Sequence, residues 1–245
     1  MIFTQKRFSP PPKQFLDGEI LTGKVRHETM LNERQQGILN ELTERYPVLE
    51  AVRGSILEAY QILEECYERG GKLLVAGNGG SCADAEHIVG ELMKGFVKRR
   101  PLPDALKVRM CEADAEHGRQ LADSLQGSLM AIALNGHPGL STAFANDVDA
   151  DMIYAQQLSG YGVAGDVFLG ISTSGNSKNV DYAVTVAKAK GLKVIGLTGK
   201  DGGKLGRRSD TAIIVPEMET FKIQELHLPI YHALCLLLEE HFFIS

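Results

Sequence analysis

The feature that most constrains this chain is a unit that recurs along it: a short apolar run, a loop of small residues, then a helical stretch. Lys72 to Ala76 (KLLVA) runs straight into Gly77-Asn78-Gly79-Gly80-Ser81, and a helical pattern follows from about Ala83 to Val97. Asp166 to Ile171 (DVFLGI) enters Ser172-Thr173-Ser174-Gly175-Asn176-Ser177, with a helix from about Asn179 to Lys190. Ser128 to Leu134, Leu192 to Leu197 and Thr211 to Val215 read as three further strands, and a helix from about Thr220 to Phe242 closes the chain. Unbroken apolar runs of this length suit strands buried on both faces. Strands alternating with helices predict an α/β fold in three layers, a central, mostly parallel five-stranded sheet flanked by helices with right-handed crossovers. Ligands of such sheets bind beyond the carboxyl ends of the strands. Both small-residue loops lie there.

The rest of the chain fits around this frame. Residues 1 to 30 read as an extended N-terminal arm, because Pro10, Pro11 and Pro12 favour polyproline geometry and the apolar pattern is weak. Residues 31 to 245 then form a single domain, an ordinary size for one core. From about Leu31 to Arg69 apolar residues such as Ile56, Ala59, Tyr60 and Leu63 recur at helical spacing, with Pro47 dividing two helices and Gly70-Gly71 stopping the second. Residues 98 to 127 are polar and read as a surface insertion with some helix. The formal net charge of −5 gives no reason to expect direct nucleic-acid binding. No run of about 18 apolar residues predicts a membrane span, and the first fifteen residues lack a signal-peptide core. Cys66, Cys82, Cys111 and Cys235 are far apart and form no CxxC pair, as expected for reduced thiols in the cytoplasm.

The two loops carry the first chemical signal. A phosphate wants several hydrogen-bond donors and partial positive charge, and backbone N–H groups at a helix start supply both. Small residues let an anion approach the backbone, and hydroxyls add donors without bulk. Ser172 to Ser177 offers four hydroxyls in six residues, and Gly77 to Ser81 offers three glycines, an amide and a hydroxyl. Either loop alone could be a tight turn with Ser as helix N-cap. Neither contains GxGxxG or GxxxxGK[ST], which points to a small phosphorylated ligand rather than a nucleotide.

Two helices carry groups for acid–base work or metal binding. His87 and Glu91, four apart, share a face of the helix after the first loop. The last helix holds Gln224, Glu225, His227 and His232 in apolar surroundings. Periodicity aligns Glu225 with His232 better than it aligns Gln224, and Pro229 complicates the arithmetic. Imidazole and carboxylate suit proton transfer near neutral pH, and also zinc.

Three segments, Gly77–Glu91 (GNGGSCADAEHIVGE), Gly170–Asn179 (GISTSGNSKN) and Ile223–His232 (IQELHLPIYH), together resemble the bacterial phosphoheptose isomerases, sugar isomerase (SIS) domain proteins. The resemblance spans roughly residues 35 to 242 and implies a flavodoxin-like, Rossmann-like sheet. It implies conversion of sedoheptulose 7-phosphate to an aldoheptose 7-phosphate. Ser81, Ser172, Thr173, Ser174 and Ser177 would hold the phosphate, beside Gly79 and Gly80. Asn78 and Asp147 would meet sugar hydroxyls. Glu91 would move the proton between C1 and C2, and His232 would act as the acid. Zinc, where present, would sit on His87, Glu91, Gln224 and His232, taking Gln224 over Glu225. The resemblance further implies a homo-oligomer, tetramer or dimer, with sites between subunits. Relatives carry an arginine shortly after the glutamate, where this chain reads Leu92-Met93-Lys94-Gly95. Two other readings belong to the same fold: a non-catalytic module that binds the bacterial replication initiator protein, and a sugar-phosphate sensor.

Overall fold

The computed structural model describes residues 31–243. The arm expected over residues 1 to 30 lies outside them. The described chain opens with α1 (Glu33–Arg45), whose Asn32 and Gln35 form a reciprocal N-terminal cap. A 3₁₀ turn (Pro47–Val52) begins at the expected proline and leads into α2 (Arg53–Glu68). Helix α2 ends as the paired glycines require. Gly70 takes φ +75°, Gly71 N–H donates to the Cys66 carbonyl and Gly70 N–H to that of Tyr67.

The sheet and its helices follow in order: β1 (Leu73–Gly77), α3 (Gly80–Met93), α4 (Asp104–Ala113), α5 (Gly118–Ser124), β2 (Ala131–Ala133), α6 (Pro138–Phe144), α7 (Ile153–Tyr161), β3 (Val167–Ser172), α8 (Lys178–Ala189), β4 (Lys193–Thr198), α9 (Gly203–Arg208), β5 (Thr211–Ile214) and α10 (Thr220–Phe242). All five strands fall where the apolar runs placed them. They pair in parallel in the order β2-β1-β3-β4-β5.

Alternation along the strands builds the two outer layers. Leu73, Val75, Leu169, Ile171, Ile195 and Leu197 face a core closed by α1, α2, α3 and α10. Leu74, Ala76, Phe168 and Val194 face the opposite core, closed by Tyr154 and Leu158 of α7, Val180 and Val184 of α8 and Leu205 of α9. Helix α10 runs unbroken through Pro229 and carries eleven buried residues, so it is the central support of its layer.

The polar insertion is a helical hairpin. No residue of α4 is buried. Its base is fixed by Gly127 N–H donating to the Arg100 carbonyl, and by a buried ion pair that the sequence reading did not foresee. Arg100 and Glu239 meet at 2.8 Å with both side chains fully buried. Glu239 also accepts from the backbone N–H groups of Phe96, Val97 and Lys98. Arg100 donates to the carbonyls of Leu92 and Glu91, the last turn of α3. Burial alone would raise the Glu239 carboxyl's pKa; the backbone donors and the guanidinium outweigh it and hold it below the ordinary value.

Candidate active site

The order 2-1-3-4-5 reverses direction between β1 and β3, and a doubly wound sheet opens its crevice at that point. The loops after these two strands are the two small-residue loops. Two side-chain hydrogen bonds tie them together: Asn78 and Asn179 exchange amide bonds, each 2.9 Å. Tyr154 steadies the pair, donating to the Gly77 carbonyl at 2.6 Å, with its hydroxyl 3.1 Å from Asn78 Oδ1.

Each loop enters its helix without a side-chain cap. Ser177 stands at the N-cap of α8, but its hydroxyl lies 2.9 Å from that of Ser172 instead of capping the helix. The serine content therefore does not serve capping. The second loop is tightly built: Gly175 has φ +65°, and a methyl group there would run into the Gly202 carbonyl oxygen. Gly79 likewise needs φ +57° at the entry to α3, which begins at Gly80, three residues earlier than the apolar pattern suggested. Ser81 is buried in the first turn of α3, and Ser172 at the end of β3.

Helix α3 leads from the first loop to the acid–base cluster. His87 Nε2 lies 3.3 Å from Glu91 Oε1. Lys94 donates to Glu91 Oε2 at 3.1 Å, so a cation meets this carboxylate. From α10, the His232 ring stands edge-on to His87 at 5.0 Å between centroids and packs against Phe96. Burial, then the neighbouring His87, lowers the pKa of His232 and favours the neutral ring; Glu91 opposes this. His87, Glu91 and His232 thus come together within one chain.

Other expected residues do not join them. The amide of Gln224 lies over Gly80, where an added Cβ would come within 2.6 Å of its nitrogen. Gly80 precedes His87 by seven residues, about 10 Å along a helix. Glu225 is exposed. His227 is fully buried and its ring nitrogens lack hydrogen bonds of ordinary length; burial lowers its pKa to about 4, with the Thr198 backbone opposing weakly. Asp147 is exposed on the turn after α6 and accepts from Asn146.

Zinc is tested by the donors themselves. Among the described residues no three His, Cys, Asp or Glu side chains are gathered so as to enclose an ion. The donor chemistry nonetheless fits, with two imidazoles and a carboxylate on adjoining faces, and the buried Nε2 of His232 has no hydrogen-bond partner.

The residues the sequence reading passed over are Asn179, Tyr154, Asp84, Tyr231 and Lys94. Only Asn179, in the second motif, and Asp84, one helical face from His87, carried a sequence signal. The Tyr231 hydroxyl lies 2.9 Å from His87 Nδ1 and donates to Asp84 Oδ1 at 3.3 Å.

Comparison with known proteins identifies the family. The SIS domain family matches residues 39–127 and 126–199. The phosphoheptose isomerase of Aneurinibacillus thermoaerophilus is 40% identical over 179 residues, covering 73% of this chain and 77% of that protein. The one from Nitratiruptor sp. is 38% identical over 213 residues, covering 87% and 100%. Among solved structures, phosphoheptose isomerase from Neisseria gonorrhoeae superposes with a TM-score of 0.65 at 32% identity, covering 85% of this chain and 98% of that one. With the sheet order, both loops and the His–Glu helix in place, the chain belongs to the phosphoheptose isomerases of the SIS domain family and is an aldose–ketose isomerase.

Proposed function

We propose that the protein converts sedoheptulose 7-phosphate to D-glycero-D-manno-heptose 7-phosphate. The observation that carries this reading is the joining of the two loops at the switch point by the Asn78–Asn179 pair, with one of them opening the helix that bears His87 and Glu91. The phosphate binds the uncapped starts of α3 and α8, with hydroxyls from Ser81, Ser172, Thr173, Ser174 and Ser177 and close backbone approach at Gly79 and Gly80. Asn78 and Asp147 meet sugar hydroxyls. Anchoring the phosphate supplies binding energy away from the reacting carbons.

Isomerisation through an enediol needs a proton taken from the carbon beside a carbonyl and returned to its neighbour. Glu91 is the base for that transfer, its second oxygen held by Lys94. His232, its neutral ring favoured by burial, offers its one N–H to the sugar oxygen, giving up that proton as the enediol forms and recovering it from the neighbouring hydroxyl as the new carbonyl forms. Zinc is proposed on His87, Glu91 and His232, where it would polarise the carbonyl oxygen; Gln224, the fourth donor the family implies, lies at Gly80 in this chain and does not reach that group. A cytoplasmic homo-oligomer, tetramer or dimer with sites between subunits, completes the proposal. Among the described residues no helix is long and apolar enough to cross a membrane.

The test is proton exchange at C1 and C2, followed by NMR in deuterated water. Substrates are sedoheptulose 7-phosphate and a panel of other sugar phosphates, with added zinc or a chelator. Exchange should be fastest with the heptulose, drop with chelator, and vanish in Glu91→Gln and His232→Asn. Exchange that is faster with another sugar phosphate would overturn the substrate. No exchange with any sugar, from folded protein, would favour the binding module.

A further inference from the structure

We propose that Tyr231 and Asp84 are positioning residues that fix the tautomer of His87, making its Nε2 the working atom of the site. The inference rests on the isomerase reading for its catalytic consequence, but not for its geometry. Asp84, His87 and Glu91 stand at positions 0, +3 and +7 of α3, one face of the helix. Tyr231, from α10, is buried against that face and reaches both Asp84 and His87.

Proton bookkeeping decides the direction of the chain. The Tyr231 hydroxyl has one proton and two neighbours. The hydroxyl donates that proton to Asp84 Oδ1 at 3.3 Å. Its oxygen is then left as the acceptor facing His87 Nδ1 at 2.9 Å. Two lone pairs at that distance would repel, so Nδ1 carries the ring's proton. In a neutral imidazole that leaves Nε2 with the lone pair, and Nε2 is the atom 3.3 Å from Glu91 Oε1. A lone pair facing a carboxylate calls for something protic or cationic between them, a sugar hydroxyl or a divalent ion. The relay therefore keeps this gap ready for a ligand and prevents the histidine from closing it with its own proton. The edge-on contact of Tyr231 with both histidine rings, centroids 5.4 and 5.1 Å away, holds the ring planes as well.

The test begins with the wild-type chain and needs no variant to fold. Long-range ¹H–¹⁵N spectra of histidine-labelled, chelator-treated full-length protein at pH 8 should show His87 as the Nδ1–H tautomer, with the signal assigned by its loss in His87→Asn. Tyr231→Phe removes the relay, and Asp84→Ala lets the hydroxyl turn round and donate to Nδ1. Both should move His87 toward the Nε2–H tautomer. In both, kcat should fall about 10- to 100-fold while KM for the sugar phosphate stays within about twofold, because the phosphate loops are untouched. A wild-type His87 that is already Nε2–H, or tautomers and kcat unchanged in both folded variants, would overturn the proposal. Wild-type protein that shows the Nδ1–H tautomer but exchanges no sugar proton would instead sink the isomerase reading and leave the relay standing.

Discussion

Replacing Glu239 by Gln is the sharpest probe of how this site is braced. Oε1 accepts from Phe96 N–H and Arg100 Nε, and Oε2 from Val97 and Lys98 N–H. Every one of these partners is a donor. A glutamine keeps the shape but turns one oxygen into an NH₂ group, and either amide orientation sets that group against two donors. The substitution also strips the counter-charge from a guanidinium that is fully buried. Breaking a buried ion pair on one side costs about 3–5 kcal/mol, and Arg100→Met should fall in the same range because it leaves the carboxylate alone. The double variant leaves neither charge unpaired, so it should cost at least about 1 kcal/mol less than the two singles summed. Urea unfolding at fixed protomer concentration measures all three, read as midpoint shifts at constant m. Single variants costing under about 1 kcal/mol, or strict additivity in the double, would refute this account of the pair. Because Arg100 also holds the carbonyls of Glu91 and Leu92, the loss should reach the isomerase rate at temperatures where the protein is still folded.

Two further outcomes follow from the same geometry. His227 has its folded pKa lowered to about 4 from an ordinary 6.5, so its contribution is fully present above pH 6.5 and is lost as pH falls toward 4. The loss approaches about 3 kcal/mol at 1.36 kcal/mol per unit, and pH-dependent urea unfolding of His227→Leu should show a shallower acid limb; an unchanged limb would remove His227 as its source. Asn179→Ala deletes both amide bonds to Asn78 and should cost about 1–2 kcal/mol in stability while raising KM several-fold, since the two loops lose their tie. Steady-state kinetics with KM unchanged would show that the loops are held apart from this pair.

What was legible in the sequence follows from what is local. The five strands are continuous apolar runs, because a parallel sheet covered on both sides buries both faces of each strand. The loops were legible as strand-to-helix junctions because their glycines and serines interrupt the apolar runs. The insertion hairpin showed only as polarity, since α4 buries nothing and so prints no helical period. Long-range polar contacts left no pattern at all. Arg100 is the second of two adjacent arginines, and its partner is one of two adjacent glutamates 139 residues on; nothing in spacing says which of each pair turns inward. The same holds for Tyr231, which reads as one more apolar position of α10 until Asp84 and His87 are seen opposite it.

The case of Gln224 shows why periodicity on one helix is a poor guide to a site made by two. Counting along α10 grouped Glu225 with His232, yet Glu225 is exposed and its neighbour Gln224 turns to Gly80. Helices α3 and α10 lie side by side and rise together: Gln224 stands beside Gly80, His232 beside His87, and Glu239 beside the segment that follows α3. Each step along α10 therefore selects a different level of α3. The loop proposed for the phosphate sits at the first level, the His87–Glu91–His232 group at the second, and the Arg100–Glu239 ion pair at the third. Residues along a single helix can thus face three separate levels of its neighbour. Only the pairing of levels between the two helices places Gln224 at the loop end, His232 beside His87 and Glu239 beside Arg100.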